Sequence, residues 1–167
     1  SGTVTGSAIA DVLTLESWTA NVAGSTGEDT LSSSSNLVDL TINLKPAITG
    51  IEVFELGDNL NGLSNQLWLT QAQIVAMTDN KVLRVEGDWG DYLYLGGRWS
   101  MTTETLTIGG VGVSYYKFVS STDSAIVVYT DPKLTVSCEV FESQFIGTSL
   151  ANSLTGTAAD DWFSPLA

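Results

Sequence analysis

Val85-Glu86-Gly87-Asp88-Trp89-Gly90-Asp91-Tyr92-Leu93-Tyr94-Leu95-Gly96-Gly97-Arg98-Trp99 is the stretch from which the fold is read. Its first half sets Gly87 and Gly90 among Glu86, Asp88 and Asp91, and its second half alternates Tyr92 and Tyr94 with Leu93 and Leu95. Glycine reaches positive φ without a steric penalty and aspartate hydrogen-bonds nearby main-chain amides, so the acidic half predicts a tight turn. The period-two alternation that follows predicts a β-strand with leucines inside and tyrosines outside. The same carboxylates, with turn carbonyls beside them, are the oxygen-rich surroundings that calcium prefers, which makes Glu86, Asp88 and Asp91 candidate metal ligands.

Upstream of this stretch, Val38, Leu40, Ile42 and Leu44 alternate with Asp39, Thr41 and Asn43, a strand with one buried face that Lys45-Pro46 ends. Residues 51–56, 67–69 and 82–85 are further predicted strands. Thr70 with Gln73 forms a capping box ahead of Ile74, Val75 and Met77, so one short helix is predicted, ending at Asp79-Asn80. Downstream, residues 105–108, 113–118, 125–129 and 133–140 read as strands. They are divided by Gly109-Gly110, by residues 120–124 and by Asp131-Pro132, which is a hairpin series with Gly109-Gly110 as its tightest turn. Val38, Ile51, Leu67, Val82 and Tyr92 recur roughly 10 to 16 residues apart, which favours a stacked solenoid over a β-sandwich. The expected fold is all-β: a parallel β-roll or solenoid-like first half with one short helix, antiparallel hairpins in the second half, and a β-sandwich as the alternative.

Nineteen acidic residues against six basic ones give a net charge of -13. That field repels phosphate backbones and anionic membranes, so nucleic acid is not an expected partner, and bound divalent cations are its simplest neutraliser. The chain contains no histidine, which removes histidine triads, the usual zinc and copper sites and the commonest general base. No apolar run approaches the roughly 20 residues of a membrane helix, so membrane insertion is not expected, and the N-terminus lacks a signal-peptide pattern. Cys138 is the single cysteine. It shares the apolar positions of an alternating run with Leu134, Val136 and Val140, the placement of a small core residue.

A frame of glycine, an acidic or amide residue five positions on and an apolar residue seven positions on recurs at both ends. Gly6, Asp11 and Leu13 fit it, as do Gly24, Asp29 and Leu31. Near the C-terminus Gly147, Asn152 and Leu154 are followed by Gly156, Asp161 and Phe163, with Asp160 beside Asp161. The glycines stand nine residues apart at 147 and 156 and eighteen apart at 6 and 24. This frame resembles the nonapeptide of repeats-in-toxin proteins, G-G-x-G-x-D-x-U-x, whose turns bind calcium between rungs of a parallel β-roll. The copies depart from it: none has the leading Gly-Gly, and only the copy at 24 keeps both Gly27 and Asp29.

Residues 51–136 resemble a segment of large bacterial repeats-in-toxin adhesins and surface proteins, through Gly50-Ile51-Glu52-Val53, the Gly-Asp-x-Gly-Asp core, Gly97-Arg98-Trp99, Tyr115-Tyr116-Lys117-Phe118 and Ile126-Val127-Val128-Tyr129. Such a resemblance implies export by type I secretion, folding outside the cell in millimolar calcium, and calcium at Asp11, Asp29, Asp160 and Asp161 as well as at the central turn.

A length of 167 residues suits one domain, with degenerate repeats over 1–35, a β-rich core over 36–142 and repeats over 143–167. The expected role is a non-catalytic, calcium-stabilised structural or adhesive module of an extracellular bacterial surface or secreted protein. Its expected partners are neighbouring domains or copies of itself, with self-assembly as a variant. The alternative is a carbohydrate-binding module that presents Trp89, Trp99, Tyr92 and Tyr94, with Trp68, to a surface glycan. An acid-base hydrolase built on Glu86 with Asp88 or Asp91 is a third and weaker reading.

Overall fold

The computed structural model describes residues 2–15, 21–33, 37–39, 47–57 and 64–141. Their strands are β1 (Thr3–Thr5), β2 (Val12–Leu15), β3 (Asn21–Ala23), β4 (Thr30–Ser33), β5 (Leu37–Asp39), β6 (Ile48–Thr49), β7 (Val53–Leu56) and β8 (Gln66–Thr70). One helix, α1 (Gln71–Met77), precedes β9 (Val82–Glu86), β10 (Tyr92–Ile108), β11 (Val111–Ser120), β12 (Val127–Thr130) and β13 (Thr135–Phe141). The fold is all-β with one helix, and its larger sheet is mixed and curls into a half-barrel.

The 18-residue offset of the two N-terminal frames is a stacking register. β1 lies parallel on β3 with Thr3 opposite Asn21, and β2 lies parallel on β4 with Val12 opposite Thr30. Each frame is therefore strand, acidic turn, strand, and the second copy sits on the first. β6 then extends the small sheet beyond β3, while β7, β9 and β12 extend the large one, all in parallel. The offset grows along this row: Thr30 faces Val53, Val53 faces Arg84 and Arg84 faces Tyr129. The lengthening accommodates first β8 and α1, then the β10–β11 hairpin.

A second parallel row runs β5, β8, β10, β13. Its buried side is aliphatic, with Leu67 facing Leu93 and Leu69 facing Leu95. Across the interior stands the row Leu31, Phe54 and Val85, in register on β4, β7 and β9 and fully buried. Ile74 and Met77 of α1 and Val22 and Ile48 of the small sheet complete this core. Each such side chain contributes about 1.5–3 kcal/mol on full burial, so stability comes chiefly from the stacked apolar rows.

The helix begins as the capping box dictates: Gln73 N–H donates to Thr70 Oγ1 at 3.3 Å, and Thr70 N–H donates to Gln73 Oε1 at 2.7 Å. Gly109 and Gly110 have φ of 57° and 84°, the two positive values a type I′ hairpin turn requires. They close the hairpin with Ile108 opposite Val111.

The hairpin series holds for β10, β11 and β12, which pair antiparallel, but not for β13. β12 already has β9 on one edge and β11 on the other. After Asp131-Pro132 the chain instead crosses to β10 and runs parallel to it, Tyr92 opposite Thr135. The predicted strand over 38–44 is described only through Asp39, and the frames at 147 and 156 lie outside the described residues.

Cys138, on β13 opposite Leu95, packs against the core, and burial pushes its thiol up to about 12. At pH 8 the folded chain should therefore alkylate with iodoacetamide much more slowly than the urea-unfolded chain, because the thiolate is the nucleophile. Equal rates, read by mass spectrometry, would remove Cys138 from the core.

Candidate functional site: the acidic corners

Two sets of turns carry the buried carboxylates. The first joins the small sheet to the large one and contains Asp11, Asp29 and Glu52 in successive copies. Asp11 N–H donates to Asp29 Oδ1 at 2.8 Å, and Asp29 N–H donates to Glu52 Oε2 at 3.1 Å. Asp29 and Glu52 thus each satisfy an amide of the turn stacked before them. Main-chain bonds run alongside, from Thr30 N–H to Asp11 O and from Val53 N–H to Asp29 O. In its own turn, Asp11 Oδ2 accepts from the amide and the hydroxyl of Ser7, and these hold the Asp11 carboxyl below the usual carboxylate range.

Glycine at 6 and 24 is required by close approach. A Cβ on Gly6 would overlap the Gly24 carbonyl oxygen and lie 2.9 Å from Asp11 Oδ2. A Cβ on Gly24 would overlap the Gly50 carbonyl oxygen and lie 2.8 Å from Asp29 Oδ2. In both copies the notch left by the missing side chain is filled by a carbonyl oxygen of the next copy, with a carboxylate oxygen of its own beside it. The copies differ in one respect. Asp29 is fully buried, and its Oδ2 accepts no hydrogen bond.

A buried carboxylate oxygen without a donor is costly, and oxygen ligands from carboxylate and main-chain carbonyl are what calcium takes. Among the described residues no three His, Cys, Asp or Glu side chains gather into a group that could hold a metal. A cation here would accordingly draw on main-chain carbonyls beside Asp29. The residues present fit a hard cation to that extent.

The second set, between β9 and β10, contains the central acidic turn, and its carboxylates face differently. Asp91 is fully buried; its Oδ1 accepts from Asn65 N–H at 2.9 Å and its Oδ2 from Asp88 N–H at 2.8 Å. Asp88 lies 3.5 Å from Lys133 Nζ at the surface. Glu86 Oε1 accepts from Arg84 Nε at 2.8 Å and from the Tyr115 hydroxyl at 2.6 Å. Gly87 has its own notch beside Asp91 Oδ2, yet the other wall is the Leu134 side chain, where Gly24 has a carbonyl. Glu86, Asp88 and Asp91, the candidate ligands of the central turn, are each engaged by donors of their own, and the far side of the Gly87 notch is apolar. Asp160 and Asp161 lie outside the described residues.

Of the aromatic candidates, Trp89 is 77% exposed at the tip of the turn and Tyr92 is 47% exposed on β10. Trp99 is corrected: it is fully buried and donates its indole N–H to Gly96 O at 3.3 Å. The register shift between Leu95 and Arg98, with Gly97 at a φ of 97°, interrupts the strand's alternation before Trp99. Trp68 instead stands beside Tyr94 across the β8–β10 pair, with ring centroids 4.5 Å apart.

Compared with known protein families, curated proteins and solved structures, the chain shows no significant match.

Proposed function

We propose that the chain is a non-catalytic structural and adhesive module of an extracellular bacterial surface or secreted protein, stabilised by calcium and built in its first half as a parallel β-roll. The observation that carries this reading is the Asp29 carboxylate, buried, with Oδ2 unbonded beside the Gly24 notch and the Gly50 carbonyl. Two features support it further. The frame offset of eighteen equals two nonapeptides, and it is the offset of β1 on β3. The net charge of -13 makes a cation-free compact state self-repelling. Calcium, when bound, supplies positive charge where stacked turns bring carboxylate and carbonyl oxygens together. Asp29 and the Gly50 carbonyl would hold it, and Asp11, one copy earlier, is anchored through its N–H on Asp29 Oδ1.

The test is Asp29→Asn, read by thermal unfolding with calcium and with a chelator. A ligand at 100 times its Kd adds about 2.7 kcal/mol to native stability, or roughly 5–10 °C for a chain of this size. The wild type should show such a rise, Asp29→Asn should lose it, and Asp88→Ala should keep it. In chelator the Asn variant should be no less stable than the wild type, because it replaces a buried charged oxygen that lacks a donor. An unchanged calcium response in Asp29→Asn would overturn the assignment to this corner.

A further inference from the structure

We propose that the outer face of the β8, β10 and β13 strands is a binding platform for a neutral glycan. This goes beyond the calcium reading and does not rest on it. Two cross-strand rows make the face. In the first, Gln66, Tyr92 and Thr135 are in register, and in the second Trp68, Tyr94 and Ser137 are. Their neighbours Leu67, Leu69, Leu93 and Leu95 point into the core, so all six face outward.

The chemistry of the face is specific. Trp68 and Tyr94 lie side by side with 33° between their planes, and Tyr92 follows on the same side of the strand two residues earlier. Trp68 and Tyr92 keep 36% and 47% of their surface exposed. Around the rings stand an amide and two hydroxyls, and Asp39 of β5 is in register with Trp68 at the end of the second row. A polyanion would be repelled by the charge of the whole molecule, Asp39 in this row included. Aromatic rings stack on the C–H faces of sugars, while Gln, Thr and Ser side chains exchange hydrogen bonds with their hydroxyls. A hydroxyl-rich, uncharged ligand with apolar faces matches all of these features together.

The test is affinity electrophoresis of the whole chain in native gels that contain a soluble β-glucan, mannan or xylan, with alginate as the polyanionic comparison. Retardation is expected in at least one neutral gel and not in alginate. Trp68→Ala and Tyr92→Ala should each weaken it roughly tenfold or more, as truncation of an aromatic anchor does, while circular dichroism stays unchanged. Should Trp68→Ala fail to fold, Tyr92→Ala, which removes an exposed ring, decides the matter. Migration unaffected by every neutral polysaccharide, equal retardation in alginate, or binding that survives in Tyr92→Ala would each overturn the proposal. Glycan binding in chelator, with no calcium response in melting, would leave this platform standing and remove the calcium reading.

Discussion

Gly24→Ala should destabilise the fold by ~3 kcal/mol or more, the upper end of what overpacking a filled interior costs. The reason is distance and not conformational freedom, since the added Cβ would meet the Gly50 carbonyl oxygen and the Asp29 side chain at once. A flexible side chain could swing aside, but a main-chain carbonyl moves only with its strand. Shifting it would strain the Gly24 N–H to Thr49 O bond, 2.8 Å long, that joins the small sheet's strands. Gly2→Ala is the matched control, with nothing within 4 Å of its Cβ position, and should fall within about 0.5 kcal/mol of the wild type. Urea unfolding of the two variants checks both. Equal midpoints would mean that copies two and three do not stack as closely as described.

Asp91→Ala should cost about 2–6 kcal/mol, since two amides lose their acceptor and each unsatisfied buried donor costs about 1–3 kcal/mol. The Asn65 amide, the more deeply placed of the two, has no water to turn to, because Asp91 is fully buried and Asn65 nearly so. Asp91→Asn keeps one acceptor oxygen and sets an NH2 against the other amide, so it should fall between the wild type and Asp91→Ala. The order wild type, Asn, Ala in urea midpoint is the expected result. An alanine variant as stable as the wild type would contradict the capping role assigned to this carboxylate.

Local chemistry was legible in the sequence, and chemistry that depends on distant segments was not. The capping box at Thr70 and Gln73 and the Gly109-Gly110 turn each involve a few consecutive residues, and both formed as expected. The 18-residue period was visible because the first two copies are the same length. It disappears afterwards because α1 and the β10–β11 hairpin are inserted between later strands of the row, so Val53 meets Arg84 and Arg84 meets Tyr129. The path of β13 depends on which strand edges are already occupied, a property no window of residues contains. The acidic turns show the same limit. Carboxylates at 88 and 91 look more promising than a single one at 29. What separates them is the far wall of the glycine notch, Leu134 in one case and the Gly50 carbonyl in the other. The burial of Trp99 was not readable either, because the register shifts between Leu95 and Arg98 and interrupts the alternation of Leu93 and Leu95 before it reaches Trp99.

The central claim is that the Asp29 corner holds calcium, and direct binding tests it most plainly. Titration calorimetry of the chelator-treated whole chain with calcium should give saturable binding of at least one ion per chain in the wild type, and that ion should be missing from Asp29→Asn. Heats no larger than those of dilution in the wild type, or the same number of ions in Asp29→Asn, would contradict it.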